Sequence, residues 1–228
     1  HMLGELGWNY SQAGVGFSLL ALLVGLAAMV PAWIIKRWGI KTTFAAGGAC
    51  LALGFVLLAT ASSLPQYFLG ASLAGFGYPL CAIVPAVHYF TSTVDSKRRA
   101  AIIGAYFTIG GLGGVVGPML ATGVVEFLGD WRYHWWVLTV VTVVLTALAL
   151  LFVDDRKTAA VEAEEKAALS EQKTADAPHN WSFRDVIRTK EYYIIVFSMT
   201  LTLVCGLTMN SWAVAHMGTL GVSAAVAA

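Results

Sequence analysis

Long apolar stretches alternate with short polar gaps along the whole chain. Six stretches contain no Asp, Glu, Lys or Arg, at residues 13–35, 43–61, 66–87, 100–125, 135–153 and 192–213. About 20 residues of α-helix cross the hydrocarbon core of a bilayer, which is about 30 Å thick. Because a helix satisfies its own backbone hydrogen bonds in lipid, this pattern predicts six transmembrane helices.

The composition supports the same interpretation. Hydrophobic residues make up 58% of the 228 residues and charged residues make up 12%, whereas a soluble domain contains about 25% charged residues. So few charges could not cover a soluble surface, so we expect an all-α membrane protein and exclude a nucleic-acid binder, a secreted disulfide scaffold and a cytosolic enzyme. The three cysteines are isolated in apolar runs, and we predict no cofactor, metal site or catalytic residue.

The basic residues predict the orientation of the helices. They fall in the gaps after the first, third and fifth apolar stretches, and only Arg132 among the 14 lies in another gap. The positive-inside rule places those three gaps in the cytoplasm, which leaves both chain ends on the outer side. This topology predicts a fragment of a multi-pass protein, with a bacterial inner membrane as the expected location.

Two motifs resemble signatures of the major facilitator superfamily. Residues 32–44, AWIIKRWGIKTTF, are similar to the signature Gly-x-Leu-Ala-Asp-Arg-x-Gly-Arg-Lys that follows helix two. Arg37, Gly39 and Lys41 match that signature, while Lys36 replaces its Asp. Gly113, Gly117 and Pro118 resemble the Gly-x-x-x-Gly-Pro signature of helix five in antiporter branches. The glycines predict close helix packing, either as plain packing or as packing that also pivots during transport.

Further residues resemble the monocarboxylate and oxalate/formate branch of this family. They are Gly47-Gly48, His88-Tyr89-Phe90, KRRAAIIG at 97–104, Trp131-Arg132 and the segment 181–193. Ala71 stands where sugar and drug transporters have an Arg in helix four, which also suits the carboxylate branch.

The resemblance implies helices two to seven of a twelve-helix fold that works by alternating access. Residues 1–153 would form most of the N-terminal bundle without its first helix. Residues 154–190 would form a cytoplasmic linker, and its part 181–190 has the helical spacing of an amphipathic surface helix. Residues 191–228 would supply the first helix of the C-terminal bundle and the start of the next. The expected partners are lipid, a small solute and the missing helices of the same transporter.

Uncharged side chains are the candidate substrate-binding residues, since the six stretches hold no charge. We predict that Tyr78, Tyr106, Asn210 and Trp212 line the solute path. A mid-membrane Asn or Tyr can equally bond a neighbouring helix, and that alternative stays open. The expected substrate is a small mono- or dicarboxylate, held by a cation in the absent helices. A drug-like or other organic solute, or a membrane scaffold without transport activity, is the alternative; a channel is disfavoured because no polar ring is visible.

The cytoplasmic basic residues have two interpretations. Arg37, Gly39, Lys41 and Arg98 lie on the face predicted to gate the transporter, where they would contact the opposite half or the linker. The simpler interpretation gives the three charges only the role of setting topology.

Overall fold

A computed structural model gives the structure of the chain and describes residues 2–155, 158 and 183–219. The described elements are helices and one 3₁₀ turn. They are α1 (Met2–Leu6), α2 (Tyr10–Leu26), the 3₁₀ turn (Ala27–Met29), α3 (Val30–Ala59), α4 (Leu64–Cys81), α5 (Ile83–Thr93), α6 (Ser96–Leu128), α7 (Arg132–Phe152), α8 (Phe183–Val186) and α9 (Lys190–Thr219). The chain divides into two units, His1–Ala163 and Glu164–Ala228. The all-α fold class is confirmed.

Each predicted span falls on helical structure. Four stretches are long and apolar enough to cross a bilayer: Tyr10–Ala59, Leu64–Thr93, Lys97–Leu128 and Arg132–Phe152. The first of these is 50 residues long and contains two of the predicted spans. In the second unit, α9 is 30 residues long and covers the predicted sixth span.

A single glycine separates the first two spans. Gly39 has φ 87° and ψ 170° inside the otherwise helical α3. Only glycine adopts this region without a steric penalty, because a Cβ would clash with the backbone. The sequence predicts a polar gap between residues 35 and 43, but the structure continues the helix through that gap and turns at one residue.

Two helices, α4 and α5, cover the stretch 66–87, where the sequence predicts a single helix. Ala82, with φ −97° and ψ −120°, interrupts the helix between α4 and α5. Pro79 lies before the break and Pro85 after it. Neither proline has a backbone N–H, so the helical hydrogen-bond ladder loses donors on both sides of Ala82.

The first unit is organised around α4, which packs along α3 and α2, while α7 packs on α3. Small residues bring α3 and α4 together. A Cβ placed on Gly54 would lie 2.7 Å from the backbone nitrogen of Ala74, and one on Gly77 would lie 2.8 Å from that of Leu51. Without a hydrophobic force between helices in lipid, such close approach is a main source of association.

Candidate functional site

The helices before and after the break at Ala82 carry aromatic side chains, and the one after the break contacts an aromatic side chain of α6. Tyr78 lies one turn before the break, and its carbonyl oxygen accepts a hydrogen bond from the Ala82 N–H at 3.0 Å. Tyr78 is 50% exposed, so half of its surface makes no contact with the described residues. Tyr106 on α6 packs edge-on against Phe90 of α5, with ring centroids 5.6 Å apart.

The structure places Tyr106, one of the four predicted substrate-binding residues, against Phe90, and the role of Tyr78 and Tyr106 in the solute path stays a prediction. We call Tyr78, Phe90 and Tyr106 the aromatic face. The sequence identifies Phe90 only as part of a family motif, because its position on α5 depends on the break at Ala82.

Asn210 and Trp212 belong to α9 in the second unit. The structure describes the backbone there, and their side chains lie outside the described residues. Their assignment to the solute path stays a prediction.

The aromatic face offers stacking surfaces and hydroxyl groups but no charge. Rings pack against planar apolar groups through dispersion and edge-to-face contacts, and a phenol both donates and accepts a hydrogen bond. Among the residues that the structure describes, no group of three or more His, Cys, Asp or Glu could hold a metal ion. Rings and phenol groups of this kind can bind a small organic molecule.

The turn at Gly39 carries a second group of predicted residues. The Asp155 carboxylate, just beyond α7, accepts hydrogen bonds from the N–H groups of Ile40 and Lys41, each at 3.0 Å. Arg37 lies with its guanidinium carbon 5.8 Å from the Trp33 ring centroid and 5.5 Å from that of Trp38. These distances allow cation–π attraction on both sides.

Arg98 is separate from this group. It lies in the first turn of α6, where its backbone N–H donates to the Asp95 carbonyl oxygen at 2.9 Å. No hydrogen bond or ion pair joins Arg98 to the Gly39 turn within the described part of the chain. The gating role of Arg37, Gly39, Lys41 and Arg98 stays a prediction.

Sequence analysis missed Asp155. It lies 115 residues from Ile40, so no motif spacing connects the two. The available signal was weak: a carboxylate directly after an apolar stretch, on the same predicted side of the membrane as the Gly39 turn.

At the opposite ends of these helices, Glu5 of α1 binds the start of α7. Its carboxylate accepts hydrogen bonds from Trp131 Nε1 at 2.8 Å and from Arg132 Nη1 at 2.6 Å. The Arg132 guanidinium also stacks 4.4 Å from the Trp131 ring centroid. The hydrogen bonds from Arg132 and Trp131 lower the pKa of Glu5, and the bond to Glu5 raises the pKa of Arg132. Both groups are therefore charged at neutral pH.

The predicted packing residues of α6 have open surroundings. A Cβ on Gly113 or Gly117 would meet no atom within 4 Å among the described residues. Pro118 lies inside the helix, and its carbonyl oxygen accepts a hydrogen bond from the Thr122 hydroxyl at 3.0 Å. This face is available to another helix, and its role in packing or pivoting stays a prediction.

The apolar helices and the uncharged aromatic face define a multi-pass membrane protein suited to binding organic solutes. The sequence model of the Major Facilitator Superfamily matches residues 1–228. The chain belongs to this superfamily of membrane transporters, and the family part of the resemblance is confirmed.

Three relatives share part of the sequence. The chain is 24% identical over 65% of its length to the multidrug transporter mfsC of Aspergillus fumigatus. It is 20% identical over 62% to the uncharacterized MFS-type transporter YfiU of Bacillus subtilis. It is 30% identical over 51% to the class C tetracycline resistance protein of Escherichia coli. The matches cover 27%, 27% and 29% of those proteins, so the chain spans less than a third of each relative's length.

Proposed function

We propose that this chain is part of a secondary active transporter that moves a small organic solute by alternating access. The aromatic face carries this proposal. Tyr78 is half exposed one turn before the break at Ala82, and Phe90, in the helix that follows the break, packs against Tyr106 of α6. Discontinuous helices near the bilayer midplane are typical of solute sites in transporters.

The chemistry of that face favours an aromatic or drug-like solute over a carboxylate. A carboxylate site needs a cation or several donors aimed at the anion, since an unpaired buried charge is costly. The apolar stretches 66–87 and 100–125, which contain Tyr78 and Tyr106, have no Lys or Arg, and the nearest basic residues in sequence are Lys97, Arg98 and Arg99 in the first turn of α6. Two of the matched relatives are named a multidrug transporter and a tetracycline resistance protein, which supports the same choice.

A mono- or dicarboxylate remains the second candidate, on the branch-specific motifs and on Ala71 in α4. It requires that a cation reaches the aromatic face from helices beyond this chain.

The resemblance of residues 113–118 to the antiporter signature makes exchange for a counter-ion the expected form of coupling. The basic Gly39 turn would face the cytoplasm, and a bacterial inner membrane is the expected location.

Binding by the full-length protein in nanodiscs separates the two candidates. The probes are tetracycline, lactate and lactamide, which is a neutral isostere of lactate. We expect tetracycline to bind and lactate to bind no better than lactamide. A clear preference for lactate over lactamide would reverse the choice, because a site built on charge discriminates strongly against a neutral partner. Counterflow in proteoliposomes then tests whether the bound solute is moved.

Substitutions at the aromatic face test its role. Tyr78→Ala and Tyr106→Ala are expected to weaken binding about 3- to 10-fold, the range that a lost aromatic contact gives. Tyr133→Ala is the matched control, since Tyr133 is 47% exposed at the start of α7, close to the 50% of Tyr78. An equal loss in all three variants would contradict a specific site.

A further inference from the structure

Asp155 makes a contact that the proposed solute site does not explain. One carboxylate oxygen, Oδ1, accepts hydrogen bonds from two successive backbone N–H groups, those of Ile40 and Lys41. These are the first N–H groups after the turn at Gly39, and they have no partner within their own helix. Asp155 therefore serves as the N-terminal cap of the second half of α3, although it comes from a different part of the chain.

The glycine and the carboxylate fit each other. A Cβ on Gly39 would lie 3.0 Å from Asp155 Oδ2 and 3.1 Å from its carboxyl carbon. The side chain of Asp155 thus occupies the space that a larger residue at position 39 would need. Gly39 is required both for its positive φ and for this close approach.

Burial shows that the contact lies in a packed environment. Ile40 is 1% exposed and Thr43 is fully buried, and the Thr43 hydroxyl donates to the Gly39 carbonyl oxygen at 3.0 Å. On the other side, Thr158 is 5% exposed and donates its hydroxyl hydrogen to the Asp155 carbonyl oxygen at 2.9 Å. A buried threonine therefore supports the cap on each side: Thr43 on the Gly39 turn and Thr158 on the Asp155 segment.

The acid at the start of α6 provides a comparison within the same chain. Asp95 is the N-cap residue of α6, yet its side chain makes no capping hydrogen bond and is exposed. An acid beside a helix N-terminus is therefore not enough to produce a cap in this protein. The approach of Asp155 to the Gly39 turn is a specific arrangement.

We propose that Asp155 is the positioning residue of the Gly39 turn. It fixes the backbone that carries Arg37 and Lys41, and it ties that backbone to the segment directly after α7, so that the turn and the end of α7 move together. Lys36 stands where the family signature has an acid, and a carboxylate reaches this turn from Asp155 instead. The part of this proposal that concerns movement during transport rests on the proposed function.

Amide hydrogen exchange tests the positioning directly, without any transport measurement. The full-length protein in nanodiscs is compared as wild type, Asp155→Ala, Asp155→Asn and the matched control Asp95→Asn. In Asp155→Ala we expect exchange at Ile40 and Lys41 to rise about 10-fold or more, as loss of a hydrogen bond to a charged acceptor predicts. Asp155→Asn keeps an oxygen acceptor without the charge, so its effect should be intermediate. Asp95→Asn should leave these two amides unchanged.

Two results would overturn the positioning role. One is unchanged exchange at Ile40 and Lys41 in Asp155→Ala. The other is an equal rise in Asp95→Asn, which would indicate general loosening of the protein. A folded Asp155→Asn variant keeps the test decisive if Asp155→Ala does not fold.

Counterflow of the bound solute tests the consequence for transport. We expect Asp155→Asn to lower the maximal rate several-fold with KM within about 2-fold of wild type, because the residue acts on the turn and does not touch solute. Unchanged rates with altered exchange would overturn the role in the cycle. If the wild type moves no solute, the proposed function fails, while the exchange result still decides whether Asp155 positions the turn.

Discussion

Glycine is frequent both in the α3–α4 pair and in α6, but its surroundings differ between these two regions. A Cβ on Gly54 would lie 2.7 Å from a backbone atom of α4, and one on Gly77 would lie 2.8 Å from a backbone atom of α3. On α6, a Cβ on Gly113 or Gly117 would meet nothing within 4 Å among the described residues. A glycine pattern therefore identifies a helix surface that can pack closely. The structure is needed to show which of these surfaces packs against another described helix.

The largest expected effect comes from filling the α3–α4 contact. Gly54→Leu should destabilise the 228-residue chain by about 3 kcal/mol, because its neighbours are backbone atoms that cannot rotate away. Gly117→Leu, the matched control on α6, should change stability by less than about 0.5 kcal/mol. Thermal unfolding in detergent micelles measures both. A similar loss of stability in Gly54→Leu and Gly117→Leu would mean that the α3–α4 pair and α6 do not differ in how closely their glycines are packed.

Gly39 should rank next, because its requirement is conformational. Gly39→Ala forces a side chain into a positive-φ conformation that costs on the order of 1–3 kcal/mol and brings it 3.0 Å from Asp155. Gly25→Ala is the control, since Gly25 is helical and its Cβ would meet nothing within 4 Å. That control should be neutral or stabilising by up to about 1 kcal/mol. The same unfolding assay applies, and a harmless Gly39→Ala would contradict the turn.

A smaller effect is expected at Gly16, where the opposing group can move. Its Cβ would overlap the ring of Tyr67, whose hydroxyl donates to the Ala13 carbonyl oxygen at 3.2 Å. Rotation of that ring should limit the cost of Gly16→Ala to about 1 kcal/mol. A double-mutant cycle with Tyr67→Ala should show coupling between the two positions. Additive effects would show that the two side chains do not compete for space.

The smallest effect on stability is expected from the Glu5–Arg132 pair, since Glu5 is exposed and Arg132 is partly exposed. The pKa of Glu5 is lowered from about 4.5, so its contribution is present above pH 4.5 and is lost as the pH falls through the lowered value. Tryptophan emission, taken as wild type minus Trp131→Phe, should follow this transition at acidic pH. Glu5→Gln should remove the transition and barely move the unfolding temperature. A large drop in the unfolding temperature would contradict this prediction, because it would mean that the Glu5–Arg132 contact contributes as much to stability as the packed α3–α4 region.

The sequence predicts the elements of the fold better than their interruptions. Charge-free stretches identify the helices because lipid imposes the same requirement on each of them. The turn at Gly39 and the break at Ala82 depend on neighbouring helices and on two prolines, so the first appears as a polar gap and the second as a continuous span. Local pattern does not contain the information that decides these points.

The candidate site was predicted in part for the same reason. Tyr78 and Tyr106 are recognisable as polar groups in apolar helices, and the structure adds the contact of Tyr106 with Phe90, while their role in binding stays a prediction. Asp155 was not recognisable, because its partners are backbone N–H groups 115 and 114 residues away. Asn210 and Trp212 belong to the second unit, and their link to the aromatic face stays a prediction.

The one-residue turn at Gly39 also has a consequence for membrane insertion. Since Gly39 takes a non-helical conformation inside α3, we expect the apolar stretches on either side to insert into the membrane as a helical hairpin. Its tip carries Lys36, Arg37 and Lys41, and moving three charges through hydrocarbon is costly. We therefore expect the tip to stay on the side from which the hairpin enters and both arms to acquire their orientation together. The orientation of this hairpin should then constrain the insertion of every later span.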